Sequence, residues 1–138
     1  MKASKGEELI INLLSKEKIS FEREKRFSDL RHGLLRFDFY ISSPQPCIIE
    51  YQGEGHYQYI PKFYKSRADF ESAKERDRRK ISYCLAKQIP IYCIPYWELN
   101  TLQTATDLFQ SKFLATDRWK NDKDWREFSQ LKKFDKQT

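Results

Sequence analysis

The chain has 138 residues, 26 Lys plus Arg against 20 Asp plus Glu, and a formal net charge of +6, which is one domain's worth of sequence. Its mean hydropathy is −0.83, yet 15% of its residues are aromatic; each ring buries a large area, so a core can be built, which argues against wholesale disorder. No apolar run reaches the length of a membrane span, and the opening Met1 to Glu8 lacks the apolar stretch of a secretory signal.

Ser4, with Glu7 three residues on, has the pattern of a capping box. It predicts a helix over 4–18 with Ile10, Leu13 and Leu14 on the buried face. Ile19 to Phe27 alternates over much of its length and reads as a strand, followed by a turn over Asp29 to Gly33. Leu35, Phe37, Phe39 and Ile41 alternate with Arg36, Asp38 and Tyr40, a half-buried second strand. After a turn over Ser42 to Pro46, Cys47 to Gln52 is the third, and the three most simply form an antiparallel meander. Gly53 and Gly55 open a long loop that runs to about Ser66.

A strongly charged helix is predicted over 68–87, ended by Gln88-Ile89-Pro90. Ile91 to Tyr96 is nearly all apolar, which predicts a central fourth strand, with Pro95 placing its end at the sheet margin. A third helix is predicted over 101–114 from Leu102, Ala105, Leu108, Phe109 and Phe113, and a short last one over 119–134 from Trp125, Phe128 and Leu131. The order αβββαβα(α) is an α/β fold, a mixed central sheet flanked by helices. Residues 1–115 form its core domain, and 116–138 a C-terminal helical extension packed on or beside it. Cys47, Cys84 and Cys93 sit among apolar neighbours without a C-x-x-C pair. They read as small buried hydrophobes in a reducing compartment, cytoplasmic or nucleoid-associated, and not as a zinc site.

The charge is unevenly placed. Residues 62–87 hold nine basic and four acidic residues, so this stretch carries five of the six net charges. The loop leading into it, Tyr57 to Lys65, interleaves aromatics with lysines. Cations neutralise phosphates and rings stack on bases or wedge between them, so the pattern favours nucleic acid over other polyanions.

The informative residues are acids where apolar residues belong. Glu7 lies one turn from Ile10 and two from Leu14, and so looks inward. Asp38 sits between Phe37 and Phe39, and Glu50 follows Cys-Ile-Ile and shares a strand face with Gln52. Asp77 is the one acid on the helical stripe Phe70, Ala73, Asp77, Ile81 and Cys84. Each has a plain alternative: Glu7 caps its own helix, Asp38 and Glu50 lie on a solvated face, Asp77 pairs with Arg36 or Arg78. Together they point elsewhere. Two carboxylates on neighbouring strands can reach one point, and like charges there need a cation; oxygen ligands suit Mg²⁺ or Mn²⁺. His56 follows the bend Gly53-Glu54-Gly55 and can swing back toward that point as a general base for water, the alternative being an exposed loop histidine. His32, beside Gly33 in a polar turn, reads as structural or phosphate-contacting.

Arg36-Phe37-Asp38-Phe39-Tyr40, followed by Ile48-Ile49-Glu50-Tyr51-Gln52-Gly53-Glu54-Gly55-His56-Tyr57, resembles the core of the PD-(D/E)XK nuclease superfamily. The closer match is its very-short-patch-repair-like branch, with the homing endonucleases described by an E-D-x-H-D constellation. Ser4 to Glu7, Glu75 to Lys80 and Ile94 to Glu98 look like that branch's flanking parts, so the resemblance covers about residues 4–98. It implies a restriction-endonuclease-like fold and a Mg²⁺- or Mn²⁺-dependent DNA endonuclease, of homing or repair type. In that reading Asp38 is the main metal ligand, Glu50 the second and the Tyr51 carbonyl a third. His56 is the general base or holds the attacking water, Glu7 completes the acidic cluster, and Asp77 orients His56 or contributes to the metal's outer shell. The expected products carry a 5′-phosphate and a 3′-hydroxyl. Lys62, Lys65, Arg67, Arg78 and Arg79 hold backbone phosphates; Tyr57, Tyr59, Phe63 and Tyr64 contact or wedge the bases.

Two departures stand out. Gln52 occupies the superfamily's lysine position, so the chemistry must rely on the metal and His56. The structural zinc cysteines of the mismatch-repair enzymes are absent. The competing implications are a structure-specific junction resolvase and a non-catalytic nucleic-acid-binding module that keeps the fold. The partner in each case is double-stranded or branched DNA and not a membrane; a homo-oligomer with two active sites would favour paired cuts, a monomer nicking.

Overall fold

Ser4 starts the first helix, α1 (Lys5–Lys16), through the expected capping box: the Glu7 N–H donates to Ser4 Oγ at 3.2 Å and the Ser4 N–H to Glu7 Oε1 at 3.0 Å. Ile10, Leu13 and Leu14 are buried, as their spacing predicts. Gly6 lets the first turn of this helix lie against Tyr51, since a Cβ there would fall 2.4 Å from its ring. That contact seats Glu7 beside the third strand.

The computed structural model describes residues 3–115. After α1 come β1 (Glu22–Arg26), β2 (Arg36–Ile41), β3 (Cys47–Gln52), α2 (Arg67–Lys87) and β4 (Ile91–Pro95), a mixed α/β architecture. The strands lie in the order β1-β2-β3-β4. The first three form the predicted antiparallel meander, with Arg23 opposite Phe39 and Phe39 opposite Ile49. β4 runs parallel to β3, from Ile48 opposite Ile91 to Gln52 opposite Pro95.

The fourth strand is therefore an edge strand, not the central one its composition predicts. Apolar character reports burial of both faces, and β4 has that at the edge. Ile94 packs in the layer of α1, while Ile91 and Cys93 pack in the layer of α2. Its outer side carries one isolated bridge, Tyr92 to Leu114.

α2 begins at Ser66, whose Oγ accepts the Asp69 N–H at 3.2 Å, and ends at Gln88 in the left-handed conformation (φ 59°). Ile81, Tyr83 and Cys84 pack on the sheet. Phe70, near its start, packs instead on the loop, against the rings of Tyr59 and Tyr64. The helix thus spans from sheet to loop, and its middle turns lie over the junction.

The helix predicted over 101–114 is replaced by short 3₁₀ turns at Tyr96–Thr101, Ala105–Phe109 and Ser111–Phe113. Its apolar spacing predicts burial correctly, since Leu102, Ala105, Leu108 and Phe113 are buried. The backbone differs because side chains compete for it. Asp107 accepts the N–H groups of both Gln103 and Thr104, restarting the chain there. Thr101, Thr104 and Thr106 are β-branched and weak helix formers. The expected helix over 119–134 and the extension over 116–138 lie outside the described residues. Cys84 and Cys93 are buried and Cys47 partly so. Among the described residues no helix is long and apolar enough to cross a membrane.

Candidate active site

The backbone ladder between β2 and β3 reaches as far as Phe39 opposite Ile49. The next opposed pair in that register is Asp38 and Glu50, and here carboxylates replace the rungs. The Asp38 N–H donates to Glu50 Oε2 at 2.7 Å, and the Tyr51 N–H donates to Asp38 Oδ2 at 2.9 Å. Neither acid lies on a solvated face: Glu50 is buried and Asp38 half-buried. Burial, and then the neighbouring Glu50 charge, push the Asp38 carboxyl up to about 8.

Lys80 answers that charge. Its Nζ lies 2.5 Å from Glu50 Oε1 and 5.1 Å from the centre of the Phe37 ring. Burial disfavours the ammonium, but Glu50, Asp38 and Asp77 outweigh it and hold Lys80 charged beyond the usual lysine range. By sequence alone this residue belongs to a basic, flanking stretch. The signal that finds it is helical spacing: Lys80 follows Asp77 by three residues and precedes Cys84 by four, on the side of the helix that turns inward.

His56 closes a short 3₁₀ turn, Glu54–His56, and its Nδ1 lies 2.8 Å from Asp77 Oδ2. Burial lowers the imidazole's affinity for a proton, but the Asp77 hydrogen bond and charge, with Glu50, raise it above the ordinary value. His56 is thus a half-buried partner of Asp77 and not a loop histidine in solvent. Arg36 pairs with Glu24 at 2.8 Å, and Arg78 lies 3.9 Å from Glu75.

Glu7 does two things. It caps α1, and its Oε1 lies 3.5 Å from a guanidinium nitrogen of Arg23, whose Nε donates to the Asp38 carbonyl. Glu7, Asp38, Glu50, Tyr51, His56 and Lys80 all line one open recess of about 560 Å³. An adjoining lobe shares Glu7, Asp38, His56, Tyr64 and Lys80 and adds Asp77 and Arg76. Gln52 is the exception among the predicted residues: it is buried away from the recess, where its Oε1 accepts the Tyr57 hydroxyl at 2.9 Å.

The residues expected to meet DNA divide. Phe63 is 54% exposed, at the rim of the recess, with Lys62 over its ring. Lys65 and Arg67 are exposed, and Arg67 lies over Tyr59. Tyr64 donates its hydroxyl to the Gly55 carbonyl at 2.8 Å, and Tyr57 packs on Trp97 with ring centres 4.7 Å apart. These two rings hold the loop in place. Arg79 lies 3.4 Å from Glu75, while Arg78 is largely withdrawn from solvent. His32 is exposed, in a left-handed turn.

Among the described residues, no three His, Cys, Asp or Glu side chains form a ready metal site. The oxygens are of the kind a hard cation takes, with Lys80 already on Glu50 Oε1. Asp38 and Glu50 present oxygens on neighbouring strands, and Mg²⁺ is commonly held by one or two carboxylates with water completing its shell.

Fold and site together define an α/β protein with a paired-carboxylate centre and a His–Asp dyad opening on one recess. No family model matches the chain, and no solved structure matches it. A stretch of 82 residues is 37% identical to an uncharacterized protein, 094L, of Frog virus 3 (isolate Goorha), covering 52% of this chain and 52% of the viral one. The chain spans about half the length of that relative.

Proposed function

We propose that the protein is a metal-dependent DNA endonuclease of the PD-(D/E)XK kind, hydrolysing phosphodiester bonds in this recess. The observation that carries the reading is the convergence of Asp38 and Glu50 with the His56–Asp77 pair on one concave surface. Asp38 and Glu50 would hold Mg²⁺ or Mn²⁺, which when bound supplies Lewis-acid stabilisation of charge on the phosphate. Asp77 fixes the imidazole through Nδ1 and leaves Nε2 to take a proton from the attacking water. The water oxygen bonds to phosphorus, the bond to the 3′ oxygen breaks, and a proton returns to that oxygen. Lys80 brings to the carboxylate pair the positive charge that Gln52 does not.

Supercoiled plasmid and branched DNA incubated with Mg²⁺ or Mn²⁺ test this. Nicked or linear products with 5′-phosphate and 3′-hydroxyl ends are expected. No cutting across a broad substrate set, or equal cutting by Asp38→Asn, overturns it. One observation favours a second reading, a nucleic-acid-binding module without catalysis: Lys80 already neutralises Glu50. That reading predicts salt-sensitive binding, indifferent to metal and to loss of Asp38.

The dyad gives a pH prediction. A base works deprotonated, and the His56 pKa lies above 6.5, so the acid limb of the cleavage profile is expected above pH 6.5. Asp77→Asn removes a hydrogen bond to carboxylate and a charge that raise that pKa. The limb then moves to lower pH while the plateau rate falls by about 10²-fold or more, the scale of general-base catalysis. A pH–rate profile checks both; a limb that stays put removes His56 from the base role.

A further inference from the structure

Leu34 is 65% exposed, the most exposed large apolar side chain among the described residues. A single exposed leucine is ordinary on a protein surface. This one differs in how it is held and in what surrounds it. Its neighbours in the chain are anchors: Leu30 and Leu35 are buried in the core layer of α2. Between them Arg31, His32 and Gly33 have φ of 49°, 54° and 79°, three left-handed residues in a row, a conformation that costs energy at the two non-glycine positions. Backbone bonds from Gly33 N–H to the Leu30 carbonyl and from Leu34 N–H to the Arg31 carbonyl tighten the turn. Arg26 donates to the Gly33 carbonyl at 2.7 Å. The turn is tied down and strained, and its product is one aliphatic side chain standing out from the surface.

The surroundings give it a use. Leu34 lines the lobe that contains Asp38, His56 and Asp77. It also lines a second recess with Arg31, Arg76, Arg79 and Glu75, the last of which pairs with Arg79 at 3.4 Å. Exposed Leu34 thus lies between the acid-floored cleft and a recess with three guanidinium groups and one carboxylate. On the other lobe of the cleft the exposed Phe63 stands at the rim. An apolar ridge flanked by phosphate-binding cations is the arrangement with which proteins part a base step and bend a duplex.

We propose that Leu34 is a wedge that enters a base step of double-stranded DNA beside the scissile phosphate, with Arg31, Arg76 and Arg79 holding the backbone next to it. The wedge assigns the substrate as duplex DNA opened at a step, and it rests on reading the recess as a DNA-cutting centre. Unstacking brings the strand down toward Asp38 and selects steps that part easily, such as pyrimidine–purine steps or mismatches.

The test uses the full chain, without divalent metal, and duplexes carrying 2-aminopurine at matched and mismatched steps. Its emission rises when the base loses its stacking partner. Wild type is expected to raise emission several-fold on binding. Leu34→Ser is expected to bind within about threefold of wild type by anisotropy and lose most of the rise, and Leu34→Phe to keep it. An undiminished rise with Leu34→Ser overturns the wedge, as does wild-type binding with no rise, or binding of duplex RNA in preference to DNA. Cleavage with Mg²⁺ is read in parallel: cutting without a rise overturns the wedge alone, and a Leu34-dependent rise without cutting supports the wedge while overturning the nuclease reading.

Discussion

Lys80→Met is expected to lower stability by about 3–5 kcal/mol, the cost of removing one partner from a buried ion pair. Nζ lies 2.5 Å from Glu50 Oε1 in a place where the lysine and glutamate side chains keep only 12% and 4% of their exposure. Methionine fills much of the same volume, so the loss comes from charge: Glu50 and Asp38 are left together without a cation. Glu50→Gln in the same chain removes the stranded charge. The double variant is therefore expected to recover much of the loss, and urea denaturation of the four proteins gives the coupling. A loss below about 1 kcal/mol for Lys80→Met would make the pair equivalent to one on the surface.

Asp38→Asn is expected to abolish cutting, by at least about 10²-fold, the scale for removing one electrostatic contact to the reacting group. The same change should stabilise the fold in alkaline solution. The Asp38 pKa is about 8 in the folded protein against 3.8 for an ordinary aspartate. Between those values the folded chain keeps a proton that the unfolded chain has released. The resulting stabilisation is complete below about pH 3.8 and is lost as pH rises through about 8. Asparagine can still accept the Tyr51 N–H, and it does not titrate. The variant should show a flatter stability profile from pH 4 to 8 and exceed wild type at pH 8 in the absence of divalent metal. An inactive protein more stable than its parent separates a catalytic role from a structural one; a variant that cuts normally refutes the proposed role of Asp38.

Much of this was legible in the sequence because it was local. Ser4 and Glu7 announce their helix, and Phe37, Phe39 and Ile41 announce theirs as a strand. The acids stood out because each interrupts an apolar pattern, and the structure brings Glu7, Asp38, Glu50 and His56 to one recess. What failed was non-local. Whether β4 lies inside or at the edge depends on what covers it, which its own residues do not record. The turns over 96–113 depend on Asp107 taking the Gln103 and Thr104 N–H groups, which apolar spacing ignores. Lys80 was hidden because a lysine in a run of basic residues looks solvated. Only its contact with a strand thirty positions earlier in the chain reveals it. Leu34 was hidden because its prominence comes from the left-handed backbone before it.

The crossed bonds between Asp38 and β3 make the acids a gauge of strand alignment. Each carboxylate has one oxygen committed to an N–H of the neighbouring strand. Sliding β2 by a single residue would put Phe37 or Phe39 where Asp38 belongs and turn the acid to the opposite side of the sheet. Both crossed bonds would break, and buried Glu50 and half-buried Asp38 would lose their partners together. A misaligned sheet therefore carries its own penalty at the very point where the chemistry is proposed, and a molecule whose strands have zipped correctly has, by that act, already placed its carboxylates.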